Sequence, residues 1–317
     1  MIKYGIVSTA SIVPRFVEGV QASQHGEVVA IAARELEKAQ KMAKDLAIPK
    51  AYGSYAELFA DEAIDIVYIA TYNKGHYSAA KEALLAGKHV LLEKPFTLTL
   101  DEGEELFALA QAQQLFIMEA QKSVFLPITQ QVKKWIDEGF VGSVKYMKAF
   151  MAFPAGHAIP WFHSLESGGG ALYGSGSYPI EYMQYVTNGK IEEVAGTSVM
   201  KPGFSDSQCD VSILFEGGVQ GNIFITTNFA SNSDLVIYGD KGRIHIPHFW
   251  RAQEATLKTD DEEKTIHLPH ENEFVFEVDH VNECLTHRLL ESPIMTEDLT
   301  LQTVELVEKM YQQWEQD

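Results

Sequence analysis

Over its first 120 residues the chain alternates short, continuous apolar runs with amphipathic, charge-bearing stretches. Tyr4 to Ser8, Val28 to Ala33, Ile64 to Ala70, His89 to Glu93 and Phe116 to Ala120 read as strands. Ile12 to Gln21, Glu35 to Leu46, His76 to Ala86 and Asp101 to Gln113 read as the helices between them, with Gly87 at a typical helix stop. Strands that are apolar on both faces must be covered on both faces, which predicts a parallel sheet between helices. Right-handed crossovers make such a sheet doubly wound, and its ligands bind at the carboxyl ends of the strands.

The pattern changes after Gln121. A helix is expected over Ile128 to Asp137, ending at Gly139. From Val144 onward, β-branched and aromatic segments broken by glycine turns predict a mostly antiparallel sheet. Glu216-Gly217-Gly218 and Gly239-Asp240-Lys241-Gly242 read as its hairpin turns. Helices are expected at Ala171 to Tyr185, Phe274 to Leu290 and Leu301 to Trp314. A length of 317 residues with 46% hydrophobic and 22% charged residues suits a globular protein of about two domains.

The net charge of −19 argues against nucleic acid or an anionic membrane as a partner, and requires any phosphate site to be built locally. Cys209 and Cys284 are the only cysteines, far apart and without metal-ligand spacing, as expected in a reducing, cytoplasmic compartment. The first residues start directly with a strand and lack a signal-peptide layout.

Glu93-Lys94-Pro95 places a lysine on the last residue of a buried strand. The proline holds Lys94 in extended geometry, at the sheet edge where ligands bind. A lysine there, partly desolvated and near a cofactor cation, can have its proton affinity lowered into a range useful for proton transfer. The plain alternative is a surface lysine at a strand end.

The first strand–helix turn should carry G-x-G-x-x-G for a dinucleotide, but those positions fall on Ser8, Ala10 and Val13. Small residues remain at the first two. Thr9 and Ser11 add hydroxyls, and the backbone of Ser8 to Ile12 leads into a helix N-terminus that can hold an anion. At the end of the second strand, Ala32-Ala33-Arg34 replaces the acid that binds the ribose of NAD. Arg34 can pair with a 2′-phosphate and Lys38 can assist, so NADP is expected over NAD. Thr71-Tyr72-Asn73-Lys74-Gly75-His76 follows the next strand, where Asn73 can hold the nicotinamide ribose and His76 begins a helix.

These residues, with Met118-Glu119-Ala120 and Gly168-Gly169-Gly170-Ala171-Leu172 followed by Tyr178, occur in order along the chain. The chain thereby resembles the glucose–fructose oxidoreductase, inositol dehydrogenase and MocA family (GFO/IDH/MocA). Tyr4-Gly5-Ile6-Val7-Ser8, Ala32-Ala33-Arg34 and Ala51-Tyr52-Gly53-Ser54-Tyr55 make it most similar to the NADP-dependent dihydrodiol and D-xylose dehydrogenase branch. The resemblance covers essentially the whole chain. It implies a Rossmann domain over residues 1–120, and a substrate-binding and oligomerisation domain over residues 121–317 with an open-faced sheet. It implies a homodimer or homotetramer. It implies hydride transfer at a carbinol or carbonyl of a sugar, polyol or cyclic diol. Lys94 becomes the catalytic lysine, with Lys94-Pro95 a candidate cis peptide, and Tyr178 the second proton-handling residue. Ser8, Thr9, Ala10, Ser11, Ile12, Arg34, Lys38, Thr71, Tyr72, Asn73, His76, Glu93 and Lys94 are the expected cofactor contacts.

One position departs from the family pattern. Four residues before Tyr178, where an aspartate usually lies, the chain has Gly174. Glu166 and Glu181 are the nearest acids, neither at matching spacing. Gly174 makes room for a bulkier substrate group or removes a hydroxyl acceptor. It also favours an alternative, a cofactor-binding regulatory protein on the same fold with turnover lost. Trp161 and His163, with His157 on the same loop, are further substrate-site candidates. The pairs His245/His248 and His267/His270 have ligand-like spacing but no cysteine beside them, and no metal site is expected.

Overall fold

The computed structural model describes residues 1–201 and 203–316. The chain begins β1 (Ile2–Val7), α1 (Val13–Ala22), β2 (Gly26–Ala32), α2 (Leu36–Asp45), β3 (Lys50–Tyr52), α3 (Tyr55–Phe59), β4 (Ile66–Ile69), α4 (His76–Leu85), β5 (His89–Glu93), α5 (Leu100–Gln113) and β6 (Ile117–Ala120). It continues through α6 (Pro127–Asp137), β7 (Val144–Ala152), α7 (Ala171–Ser175), α8 (Ser177–Thr187), β8 (Ile191–Ser198), β9 (Gln208–Phe215), β10 (Val219–Thr226), β11 (Asp234–Gly239), β12 (Gly242–Pro247), β13 (Glu254–Thr259) and β14 (Glu263–His267). It ends with α9 (Phe274–Thr286) and α10 (Glu297–Trp314).

Two compact units result. The first is Met1–Ala120 with Asn272–Glu297; the second is Gln121–Glu271 with Asp298–Asp317. The first unit is a doubly wound sheet in the order β3-β2-β1-β4-β5-β6, every neighbouring pair parallel. β4 and β6 are buried along their whole length and β5 along all but its first residue, as their apolar sequences require.

The segment 272–297, assigned from the sequence to the second domain, folds with the first. Close packing explains this. Phe274 meets the ring of Phe16 edge-on at 6.0 Å, and the Tyr4 hydroxyl donates to Asn282 Oδ1 at 2.8 Å. Gly19 on α1 lets α9 approach: a Cβ there would lie 2.6 Å from the Cβ of Phe274. The ion pair Arg15–Glu273 adds a tie at the same contact.

The second unit is built on an eight-stranded sheet in the order β14-β13-β12-β11-β7-β10-β9-β8. Only β7 and β10 pair in parallel; every other neighbouring pair is antiparallel. Period-2 alternation turns Met147, Ala149, Val211, Ile213, Ile223 and Ile225 into the core. The opposite face carries Tyr146 stacked on Tyr238 at 6.0 Å and Phe150 stacked on Phe224 at 5.3 Å. The helix expected over Ala171 to Tyr185 is broken into α7 and α8 at Gly176, where a Cβ would lie 2.6 Å from the Leu172 carbonyl oxygen.

Candidate active site

In the first unit, the parallel register brings the carboxyl ends of β1, β2, β4 and β5 to one edge of the sheet. The chain leaves β1 toward β2 and leaves β4 toward β5, in opposite directions across the sheet, so the crevice between β1 and β4 is a topological switch point. Ser8 begins the loop there with φ 101°, a conformation that favours glycine. Its amide donates to the Ala32 carbonyl at 2.9 Å, and its hydroxyl accepts from the Ala10 amide at 3.1 Å. The turn that a glycine normally makes is therefore held by a serine. Thr9, Ala10 and Ile12 are half-buried on it, Ser11 is exposed, and α1 starts directly behind.

At the end of β2, Ala33 is buried and Arg34 is exposed. The Arg34 charge is felt at the half-buried Tyr55, where it opposes the upward push of burial on the phenol. Lys38 ion-pairs with Glu35 at 2.7 Å, both exposed. This edge fits a dinucleotide: a glycine-like turn over a helix N-terminus for the pyrophosphate, and a cation without an adjoining carboxylate on Ala33 for the adenosine end. Ser8, Thr9, Ala10, Ser11, Ile12 and Arg34 are the residues that would hold it.

The β4 and β5 ends are cross-braced. The Lys94–Pro95 peptide is cis. The buried Glu93 carboxylate accepts from the Tyr68 hydroxyl at 2.6 Å and from the Lys94 amide at 3.1 Å. Glu119 on β6 accepts from the Phe96 amide at 3.1 Å. Both acids thus fix the backbone that carries Lys94, which is itself half-exposed. The His76 ring is fully buried between the carbonyls of Pro95 and Thr71, and burial pushes its pKa down. It braces the loops. Asn73 is buried in the short turn after β4, Thr71 is half-buried and Tyr72 is exposed.

In the second unit, the glycine run before α7 is a packing device. A Cβ on Gly169 would lie 2.1 Å from the Phe162 carbonyl oxygen, and one on Gly170 2.1 Å from Asp206 Oδ1. Asp206 accepts from the Leu172 amide at 3.1 Å and the Tyr311 hydroxyl at 2.6 Å, and burial raises its carboxyl to about 6. Gly174 is half-buried on α7, and a Cβ there would meet nothing within 4 Å. Glu166 is exposed, whereas Glu181 is fully buried and accepts from Gln121 Nε2 at 2.5 Å. His157 and His163 stack at 5.2 Å on an exposed loop, with the half-buried Trp161 beside them.

Tyr178 is half-exposed at the start of α8. Its oxygen accepts from Lys122 Nζ at 2.7 Å, and the same ammonium lies 4.8 Å from its ring centroid. Sequence reasoning missed Lys122. A lysine inside the otherwise apolar and small-polar run Gln121-Lys122-Ser123-Val124-Phe125 was its one signal, and nothing in the pattern linked it to a tyrosine on a later helix.

One histidine of each pair is engaged elsewhere: His245 with Asp234 at 3.0 Å and His267 with Glu254 at 3.1 Å. Among the described residues, no group of three or more His, Cys, Asp or Glu is placed to hold a metal ion, and no helix is long and apolar enough to cross a membrane.

Residues 2–121 match the GFO/IDH/MocA oxidoreductase family, NAD-binding Rossmann fold, and residues 129–245 match the GFO/IDH/MocA C-terminal domain. The chain belongs to this family and is an NAD(P)-dependent oxidoreductase. It is similar to trans-1,2-dihydrobenzene-1,2-diol dehydrogenases, with 34% identity to that of Xenopus laevis (93% of this chain, 92% of the relative). Identity to that of Mus musculus is 32% (93% and 91%). Among solved structures, it superposes on a 3-ketoreductase from Actinomadura kijaniata in complex with TDP-benzene and NADP with TM-score 0.85 at 23% identity, covering 98% of this chain and 96% of that one. The aldose-aldose oxidoreductase from Caulobacter crescentus gives TM-score 0.87 at 22% identity, with 98% and 96% covered. These two share the fold.

Proposed function

We propose that this chain is an NADP(H)-dependent enzyme that moves a hydride to or from a carbinol or carbonyl of a sugar, polyol or cyclic diol. The observation that carries the reading is Lys94, set at the ligand edge of the sheet and braced by the buried carboxylate of Glu93. Bound nicotinamide supplies the hydride; the protein supplies position and the proton. Lys94 and Tyr178 handle that proton, and Asn73 serves the nicotinamide ribose. Arg34 beside Ala33 supports NADP over NAD, as does the NADP in the A. kijaniata structure. The named activities of the relatives support a cyclic diol or sugar as substrate. Cys209 and Cys284 are free and buried thiols, in keeping with a cytoplasmic protein.

Titration with NADPH and NADH, followed by an absorbance screen over aldoses, polyols and cyclic diols, tests this reading. NADPH should bind more tightly, at least one carbinol class should turn over, and Lys94→Met should abolish that turnover with cofactor affinity kept. Equal affinity for the two cofactors overturns the NADP assignment. Cofactor binding without turnover across the screen favours the regulatory alternative that Gly174 suggests.

The open face of the second unit's sheet fits a second copy of this chain. Tyr238 on β11 is 36% exposed, and Phe229, on the loop between β10 and β11 and 6.3 Å from the Phe150 ring of that face, is 47% exposed. A dimer or tetramer mass by light scattering at micromolar concentration supports this, and a monomer mass contradicts it.

A further inference from the structure

We infer that Lys122 is a positioning residue for Tyr178, setting both the direction of its hydroxyl proton and its readiness to give that proton up. The inference rests on the reading of Tyr178 as the proton-handling tyrosine. A lysine ammonium has donors and no acceptor. At 2.7 Å the Tyr178 oxygen must accept from Lys122, so the phenol's own proton points away from the lysine. When that proton leaves, the contact becomes an ammonium–phenolate pair, which is stronger than the contact to the neutral phenol.

The lysine is held in place for this. Lys122 is 7% exposed, and lysines are rarely buried without a partner. The residues on either side of it are pinned. Gln121 Nε2 donates to Glu181, and the Ser123 hydroxyl donates to Gln121 Oε1 at 3.0 Å. The Ser123 carbonyl accepts from Thr129 Oγ1 at 2.6 Å. Tyr178 and Glu181 lie three residues apart on α8, hence on one face of it. One acid on that face fixes the backbone run, and the tyrosine next to it receives the lysine.

Of the other titratable groups on the packed elements, Lys145 and Lys148 of β7 are exposed, Glu181 of α8 accepts from Gln121, and burial pushes the Tyr185 phenol up. On α6, Lys133 pairs with Asp137 and Lys134 with Glu138, and Arg251 lies over Trp250. Tyr182, the next tyrosine on α8, is fully buried, and burial pushes its phenol far up.

In the reducing direction, the substrate's carbonyl carbon gains a hydride from reduced nicotinamide and its oxygen gains the Tyr178 proton. The phenol O–H bond breaks, and its electron pair stays on the phenolate facing Lys122. In the oxidising direction, the phenolate takes the carbinol proton.

The test is the ionisation of Tyr178 in the holoprotein, followed by NMR of ring-labelled tyrosine and assigned with Tyr178→Phe. In the unaltered protein its midpoint should fall below the ordinary tyrosine value of about 10. In Lys122→Met and in Lys122→Gln it should rise by about 1–3 pH units, and Lys122→Arg should restore it. In the reducing direction the basic limb of the kcat–pH profile should move with it, and in the oxidising direction the acidic limb, while KM changes little. A midpoint at or above about 10 in the unaltered protein, or one unmoved in a folded neutral variant, overturns the inference. Absence of turnover in the unaltered protein would instead sink the catalytic reading of Tyr178, and the NMR midpoint would still decide what Lys122 does.

Discussion

The Nδ1 of His76 stands 2.8 Å from the carbonyl oxygen of Pro95, and its Nε2 stands 3.1 Å from that of Thr71. One buried ring therefore ties the loop after β4 to the residue that follows Lys94. A neutral imidazole has a single N–H, so only one of the two contacts is a hydrogen bond at a time unless the ring is protonated. Burial opposes protonation and outweighs the pull of the two carbonyls and Glu93. His76→Ala should lower stability by about 2 kcal/mol in urea unfolding, by leaving a buried carbonyl unpaired and the ring's space empty. It should also reduce kcat about tenfold with cofactor affinity kept, because the Lys94 backbone loosens. A kcat unchanged from that of the unaltered protein would show that the brace does not serve Lys94. Because the folded-state pKa is depressed, this residue's stabilising share is present above the ordinary histidine value and is lost as pH falls below it.

Arg34 is exposed beside a side chain, Ala33, that offers no carboxylate. Arg34→Ala should weaken NADPH binding by about 1–3 kcal/mol, the range for a charge-assisted contact, and leave NADH binding nearly unchanged. Fluorescence titration of both cofactors decides it. Lys38→Ala should matter less, because its ammonium is already paired with Glu35 at 2.7 Å. An equal loss for both cofactors would place Arg34 on the adenine or the pyrophosphate, not on a 2′-phosphate.

Asp206 binds its proton more tightly folded than unfolded, since burial raises it from 3.8 to about 6. The sign follows from linkage: the folded state holds more protons between those values, so this residue's contribution to stability falls as pH rises through that window. The change amounts to about 3 kcal/mol across the window and is flat above it. Asp206→Asn removes the titration. The difference in unfolding free energy between the unaltered protein and this variant should therefore depend on pH between about 4 and 6 and be constant from about pH 7 upward. A pH-independent difference would refute the buried-acid account.

The first unit was legible because its determinants are local. Five unbroken apolar runs and the glycine and proline signals at their ends specify a parallel sheet without reference to distant residues. β3 and α3 escaped because they are three and five residues long, too short to show a period. The return of α9 to the first unit was not legible. It rests on Phe274 meeting Phe16 and on Asn282 reaching Tyr4, pairs separated by more than half the chain. The same holds at the site. Lys94 announces itself through its neighbours Glu93 and Pro95. Lys122 acquires meaning only when folding brings α8 against it. His76 and Glu93 stand out in the sequence as cofactor-site candidates; their contacts with Thr71, Pro95, Tyr68 and Lys94, which brace the backbone there, become visible only in the fold.

Gly174→Asp discriminates between a working enzyme and a regulator. A Cβ at this position would meet nothing within 4 Å, and the residue lies on α7 without a positive φ, so the protein itself accommodates the change. Unfolding should therefore shift by less than about 1 kcal/mol, as for a surface substitution. Any effect on activity then reports on what the space at Gly174 is for. If the enzyme's substrate fills it, a carboxylate there clashes with that substrate or is buried unpaired against it. The value of kcat/KM should then fall by about 1–3 kcal/mol in transition-state stabilisation, about fivefold to 150-fold. If the chain is instead a regulator that lost a catalytic acid, the same substitution should create dehydrogenase activity on simple sugars or polyols in a protein that had none. The intact Lys94, Tyr178 and cofactor edge favour the first outcome. Steady-state kinetics of both proteins over the same carbinol panel separate the two, and a gain of activity from an inactive parent would reverse the assignment.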